Sequence, residues 1–317
     1  MTTVLVTGAS GFLGRRVVLA LERAGHQVRA GVRRPVAPAA LGWGAAVTPV
    51  PCDVLTGDGL AAACDGVDAV IHLAADMGGD EAAQIATAVG GTERLIAALG
   101  PATTRLVLAS SFSVYDWERV GAELDEDAAL LGPDAAARQD GYARAKLAQE
   151  RAARAACAAR GLALTVLRPA TIWAAGRRDL DGVGVGAGKA VVVIGPGRAM
   201  RLTHVDNCAA AFAAALDPRA AGHTFNVDDG YPVTAWEHAG RQGAALRLPL
   251  PYGLARAGAA LGGALLRPLR RGRPLPGLLV PARLCARFHG ARAGHAALTR
   301  VLGWTPPLSL QACLRTG

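Results

Sequence analysis

A tyrosine and a lysine stand four residues apart in Gly141-Tyr142-Ala143-Arg144-Ala145-Lys146, at the head of a long alanine- and arginine-rich run. In a helix, positions i and i+4 share one face, so a phenol oxygen and an ammonium can address the same small volume. A phenol titrates near pH 10 and is a weak acid–base group at neutral pH, but a fixed cation beside it stabilises the phenolate. Such a pair can hand a proton to an oxygen or take one from it. Tyr-x-x-x-Lys also occurs on ordinary solvated helices, so its surroundings decide what it means. Three hydroxyls are candidates to join it. Ser110, Ser111 and Ser113 follow the apolar run Arg105–Ala109, which reads as a strand, and ligands of parallel α/β sheets bind beyond the carboxyl ends of strands.

A second chemical signal is Thr7-Gly8-Ala9-Ser10-Gly11-Phe12-Leu13-Gly14. It lies between a strand at residues 3–6 and a helical run at 15–24 that stops at Gly25. Gly8 can take the tight turn, Gly11 lets the backbone approach a pyrophosphate, and Gly14 lets the helix pack on its strand. The helix N-terminus presents free N–H groups to the phosphates. Ser10, Phe12 and Leu13 belong to this turn and are counted with it as cofactor contacts. The second strand, Gln27–Val32, ends in Arg33-Arg34 instead of an acidic residue. A guanidinium cannot accept a hydrogen bond from a ribose 2′-hydroxyl but can hold a 2′-phosphate, which favours NADP over NAD. Asp53, with Val54 beside it, ends a third strand at 45–51, where it can meet the adenine. Leu73, Ala74 and Ala75 close a buried strand at 68–75 with small side chains that let a cofactor lie near the backbone. His72 in that strand reads as a packed histidine. Pro169 fixes the chain as it leaves a sixth strand at 162–169.

Helical runs at 59–64, 80–99 and 141–160 alternate with these strands. The alternation predicts an α/β, doubly wound parallel sheet of Rossmann type with a smaller, discontinuous C-terminal substrate domain. Residues 1–170 form the dinucleotide-binding domain, with 203–230 returning to it; 171–202 and 231–317 form the substrate-binding part. Glu123, Asp125, Glu126 and Asp127 read as a solvated loop. The glycine-dense Gly182–Gly188 reads as a mobile loop near the substrate mouth. Ala190–Ile194 and 222–227 are expected strands. Asp206 and Asn207 are expected to cap a helix at 208–216, and Thr234-Ala235-Trp236-Glu237 has the spacing of a capping box.

Composition narrows the class. Hydrophobic residues make up 51%, aromatics only 4%, and there are 40 glycines, as in a small-residue α/β protein. The six cysteines have no paired spacing, so neither a metal site nor a disulfide framework is indicated and a cytoplasmic location is expected. The N-terminus lacks the pattern of a signal peptide, and no apolar run is long enough to span a bilayer. From Arg241 to Gly317 there are twelve arginines and no Asp, Glu or Lys, so this segment carries +12 and the preceding 240 residues −3. These arginines either solvate helix faces or meet an anionic substrate or membrane. Weak membrane contact would use residues 252–269 with Arg267, Arg270, Arg271 and Arg273. Nucleic-acid binding is not expected, because aromatic interleaving and a recognisable module are missing.

With TGASGFLG (7–14), CDV (52–54), HLAA (72–75), SSFSVY (110–115), YARAK (142–146), RPATIW (168–173) and THVDN (203–207) in order, the chain closely resembles the extended short-chain dehydrogenase/reductase superfamily, in its NAD-dependent epimerase/dehydratase branch. The resemblance implies that Tyr142 is the proton donor or acceptor. Lys146 then binds the nicotinamide ribose and lowers the tyrosine pKa, while Ser111 orients the substrate oxygen. Ser111 is chosen over Ser110 because it lies four residues before Tyr115, as in the family's Ser-x-x-x-Tyr arrangement. Three departures stand out: Ala88 occupies a customary asparagine position, Trp173 replaces a tyrosine, and Phe112-Ser113 replace the Asp-Glu of sugar dehydratases. The expected function is interconversion of a ketone and a secondary alcohol with NADP or NAD, ahead of epimerisation of a nucleotide sugar on tightly bound NAD and ahead of NADP(H) sensing without turnover. The expected substrate is a small molecule, bulky and apolar or anionic, such as a steroid-like ketone, met by Ser111, Phe112, Ser113 and Trp173. A homodimer through helices flanking the sheet is common in families of this kind.

Overall fold

The computed structural model describes residues 2–75, 81–177, 180–270, 273 and 275–315. Strands β1 (Thr3–Thr7), β2 (Gln27–Val32), β3 (Val47–Pro51), β4 (Ala69–His72), β5 (Arg105–Ala109) and β6 (Ala163–Pro169) alternate with helices. These are α1 (Gly14–Arg23), α2 (Leu60–Cys64), α3 (Glu81–Ala98), α4 (Pro133–Ala137) and α5 (Gly141–Arg160). The chain then runs through β7 (Thr171–Trp173), β8 (Gly184–Ala187), β9 (Ala190–Ile194), β10 (Leu202–His204) and α6 (Val205–Ala214) before β11 (Thr224–Val227). It continues into α7 (Ala235–Arg241), β12 (Leu246–Leu250), α8 (Tyr252–Leu269) and α9 (Pro281–Phe288).

Seven strands form one parallel sheet in the order β11-β6-β5-β4-β1-β2-β3. This is the doubly wound α/β sheet that the alternation predicts. The central strands β1, β4 and β5 are short, nearly continuous buried runs because both of their faces are covered. Successive side chains point to opposite faces: Val4 and Val6 pack with Val17, Leu21 and Phe212 on one side, and Leu5 packs with Leu95, Ile96 and Leu106 on the other. Strand order reverses between β1 and β4, which opens a crevice at their carboxyl ends.

Helix α5 starts where the Asp140 carboxylate accepts the Ala143 N–H at 2.9 Å and stops at Gly161, whose φ of +64° terminates it. These two ends fix where Tyr142 and Lys146 stand relative to the sheet. Smaller sheets complete the chain: β10 pairs with β7, and β12, β9 and β8 form a second layer.

Three expectations need correction. The glycine-dense stretch is not simply a loop, because β8 pairs antiparallel with β9. A Cβ at Gly184 would sit 1.9 Å from the Val192 carbonyl oxygen, and one at Gly186 2.5 Å from that of Ala190, so these glycines permit a close strand approach. Helix α6 begins at Val205, and its cap is His204, whose ring nitrogen accepts the Asp206 N–H at 3.3 Å. Asp206 instead pairs with Arg16, and Asn207 is buried, donating to Asp229 at 2.9 Å. Glu126 does more than solvate a loop, since it accepts the Asn226 N–H at 2.7 Å. The capping box at Thr234 and Glu237 forms as expected. Residue 80 of the third helical run and Arg271 lie outside the described residues.

Candidate active site

The carboxyl ends of β1, β4, β5 and β6 open on a cavity of about 740 Å³. Leu13 contributes from the turn after β1, Leu73 and Ala75 from the end of β4, Ser110 to Ser113 from the end of β5, and Pro169 to Ile172 from the end of β6. Tyr142 and Lys146 enter from the first turns of α5.

The turn below this cavity requires its glycines. Gly8 has φ +69°, and a Cβ there would lie 3.0 Å from Ala74 Cα; one at Gly14 would lie 2.1 Å from the Gly8 carbonyl oxygen. The turn therefore packs against the backbone of Leu73 and Ala74, and the start of α1 is left without a side-chain cap. Uncapped N–H groups beside a bare glycine backbone fit a dinucleotide pyrophosphate. Ser10 is exposed, and the Arg177 guanidinium stacks 4.1 Å over the Phe12 ring. Arg33 and Arg34 are exposed at the end of β2. Asp53 is half-buried, with its carboxylate accepting the Leu55 N–H at 2.8 Å. Val54 is buried and packs toward Gly91.

Geometry separates the serines. Ser110 is buried and donates to Glu150 Oε2 at 2.8 Å, so it is committed to the fold. Ser111 is half-buried, caps a short 3-10 turn by accepting the Ser113 N–H at 3.2 Å, and faces the Tyr142 phenol closely enough to favour its ionised form. Burial outweighs that help, and the Tyr142 pKa stands above its ordinary value. The expected lowering by Lys146 is not seen in this arrangement. Lys146 Nζ donates to the Ala109 carbonyl at 2.8 Å and to Gln149 Oε1 at 2.9 Å. Burial drives its pKa down to about 8.

Gln149 leads to a buried polar chain that sequence reasoning missed. Its Nε2 donates to Thr92 Oγ1 at 3.0 Å, and His72 Nε2 lies 3.0 Å from the same oxygen. With the Thr92 proton on the Ala88 carbonyl at 2.7 Å, the consistent assignment has His72 Nε2 donating to Thr92 and Nδ1 accepting from Thr7 Oγ1 at 2.7 Å, and Gln149 Nε2 lies 3.4 Å from His72 Nε2. Burial, with the nearby Lys146 charge, pushes the His72 pKa down to about 3 and keeps the ring neutral. The Ala74 N–H completes the chain by donating to Thr7 at 3.3 Å. His72 is thus a packed histidine, as expected, and it links the glycine turn to Lys146. No local pattern marks Gln149, because its partners come from α3 and β4.

Of the substrate candidates, Ser111, Phe112 and Ser113 line the cavity and Trp173 does not. Trp173 is 4% exposed, and its indole packs edge-on to His204 at 5.0 Å and to His238 at 6.0 Å in a separate apolar cluster with Val191, Val193 and Leu202. Pairing of β7 with β10 turns it away. The far wall is apolar and basic, with Leu278 and Ala286 beside Arg201, Arg283 and Arg287. Arg201 stacks 4.1 Å over Trp117, and burial lowers its pKa to about 10.

Residues 4–228 match the sequence profile of the NAD dependent epimerase/dehydratase family. The chain is 33% identical over 258 residues to the 3 beta-hydroxysteroid dehydrogenase/Delta 5-->4-isomerase of Mycobacterium tuberculosis, covering 74% of this chain and 67% of that protein. It is 29% identical to the 3-beta-hydroxysteroid dehydrogenase of Mycolicibacterium neoaurum, covering 74% and 68%. Its fold also resembles a short-chain dehydrogenase/reductase superfamily protein from Agrobacterium tumefaciens solved with bound NAD, at a TM-score of 0.71 and 22% identity, over 98% of this chain and 94% of that one.

Proposed function

The chain belongs to the NAD dependent epimerase/dehydratase family of enzymes, and we propose that it interconverts a bulky apolar ketone and the corresponding secondary alcohol, using NADP(H) in preference to NAD(H). The observation that carries this reading is the meeting of Ser111 and Tyr142, with Lys146 one helical turn on, at the mouth of a crevice floored by a bare glycine turn.

A nicotinamide cofactor, when bound, supplies or takes up the hydride. Tyr142 gives its phenolic proton to the carbonyl oxygen in reduction and takes the hydroxyl proton in oxidation. Ser111 hydrogen-bonds that oxygen and holds it against the phenol. Lys146 would hold the nicotinamide ribose, and its charge would favour the phenolate once it turns from Ala109. General acid–base help of this kind is typically worth about 10²- to 10⁴-fold. Phe112, Ile172, Leu278 and Ala286 give the substrate an apolar wall, and the likeness to 3β-hydroxysteroid dehydrogenases favours a fused-ring ketone or alcohol. Absence of an Asp-Glu pair after Ser111 removes the acid and base that sugar dehydration needs.

Fluorescence titration with NADPH and NADH, followed by a screen of ring ketones and nucleotide sugars, tests the proposal. NADPH should bind more tightly, and the double change Arg33→Ser with Arg34→Ser should weaken NADPH about 10- to 100-fold while sparing NADH, as expected for loss of charge-assisted hydrogen bonds. Turnover of nucleotide sugars with apolar ketones ignored would overturn the substrate assignment.

A further inference from the structure

A second, open cavity of about 480 Å³ adjoins the catalytic one, and the Arg283 side chain borders both. Arg283 holds the wall between them, its Nε and Nη2 donating to the Arg138 and Gln139 carbonyls at 3.3 and 3.0 Å. Gln139 answers from the other side, donating to the Ala282 carbonyl at 3.4 Å. Ser111, Tyr142 and Lys146 do not line this second cavity. Arg267, from the last turn of α8, and Arg273 beyond it do, opposite Val280 and Pro281 at the start of α9.

Charge along the two cavities does not balance. Three carboxylates line them, and each is engaged: Asp140 caps α5, Asp181 pairs with Arg287 at 3.0 Å, and Glu118 pairs with Arg138 at 2.7 Å. Arg201 and Arg283 donate to backbone carbonyls. Arg267 and Arg273 form no ion pair among the described residues. Asp228 lies near enough to Arg201 to feel its charge, but burial pushes that carboxyl up to about 7, so it offsets only part of it. Four guanidiniums therefore stand with little compensation along one path, which starts on the apolar wall of the catalytic cavity and ends in the second.

We propose that the second cavity is a subsite for an oxyanion, a carboxylate or phosphate, carried on the tail of the substrate. A cleft lined by one sign of charge gathers the opposite ion, and guanidinium forks hold carboxylates and phosphates by charge-assisted hydrogen bonds. The substrate is then an amphiphile. Its apolar ring system lies against Phe112, Ile172, Leu278 and Ala286, and its acidic tail passes Arg283 to reach Arg267 and Arg273. That the body is a ring ketone or alcohol rests on the function proposed above; the anion subsite rests on the arginines alone.

A steroid keto acid and its methyl ester share one ring system and differ by the charge on the tail. Calorimetric titration of the whole chain with each, in the presence of NADP⁺ so that no ketone is reduced, tests the subsite. The acid should bind about 10- to 100-fold more tightly than the ester at low salt, and high salt should shrink that advantage. Arg267→Gln with Arg273→Gln should remove about tenfold of it while leaving ester affinity and the NADPH titration as in the wild type, the latter reporting that the variant folds. Arg267→Gln alone serves if the pair does not fold. Equal affinity for acid and ester, binding of neither, or an undiminished advantage in the folded variant would overturn the proposal. Inorganic phosphate binding as tightly as the keto acid would overturn it too, by assigning the cavity to a free anion. Turnover with NADPH separates the two readings: an acid that binds as expected and is not reduced contradicts the redox function and leaves the subsite standing, whereas reduction of acid and ester with equal KM does the reverse.

Discussion

Two buried polar clusters hang from adjacent residues of α5, and they are built differently. Glu150, on one side, is a charged hub. Arg168 Nη2 and Nε donate to it at 2.5 and 3.2 Å, Arg154 at 2.9 Å and Ser110 at 2.8 Å. Arg168 also donates to the Tyr115 hydroxyl at 3.0 Å, which donates in turn to Asn226 at 2.7 Å. Burial works against the Glu150 carboxylate, but these donors win and hold its pKa below the ordinary value. Gln149, on the other side, joins Lys146 to neutral partners, Thr92, His72 and Thr7, and the one charge in the cluster is held weakly, with its pKa down to about 8. The first cluster welds β5, β6 and β11 to α5. The second leaves the lysine free to exchange the Ala109 carbonyl for another acceptor.

Breaking the welded cluster should have the largest effect. Glu150→Ala strands Arg168 in a site where the arginine is 3% exposed, and should cost about 3–5 kcal/mol of unfolding free energy in urea titrations. A cost under about 1 kcal/mol would mean that the ion pair is not the weld described.

The held-weakly charge gives the next effect, and its sign is fixed by linkage. Below pH 8 folded and unfolded chains both keep the Lys146 proton. Between about pH 8 and 10.5 the unfolded chain binds more protons, so stability rises with pH by up to about 1.4 kcal/mol per unit. Lys146→Met should remove that rise when wild type and variant are unfolded side by side across this window. Parallel pH profiles would place the lysine pKa elsewhere.

Gln149→Leu sharpens the contrast at smaller cost. It should destabilise the fold by about 1–3 kcal/mol, because Thr92 loses a donor and Lys146 an acceptor. Removing that acceptor from the ammonium should also carry the pH dependence of turnover to lower pH, a shift that Glu150 variants should not produce. A stability loss with an unmoved profile would reduce Gln149 to packing.

What was legible in the sequence was local. Thr7 to Gly14 declares its turn because its glycines stand in one short run between a strand and a helix, with Gly11 and Gly14 answering contacts inside that unit, and Tyr142 and Lys146 share a helix face by spacing alone. Short apolar runs bounded by turns fixed β2, β5 and β9 to the residue. Gln149, Thr92 and His72 come from three different elements and meet only after the sheet forms. Trp173 looked like a substrate contact by its place after Arg168-Pro169, but β7 pairs with β10 and carries the indole into another core. The glycines of β8 concealed a strand because their purpose, close approach to β9, depends on a partner that composition does not name. The choice of Ser111 over Ser110 rests on likeness to a family, and the bond from Ser110 to Glu150 is consistent with it.

The most direct test is Tyr142→Phe, assayed for turnover of a ring ketone with NADPH and for NADPH binding in parallel. The phenyl ring keeps the packing and loses the proton, so turnover should fall about 10²- to 10⁴-fold with cofactor affinity unchanged. Wild-type turnover in this variant would contradict the assignment of Tyr142 as the acid–base group.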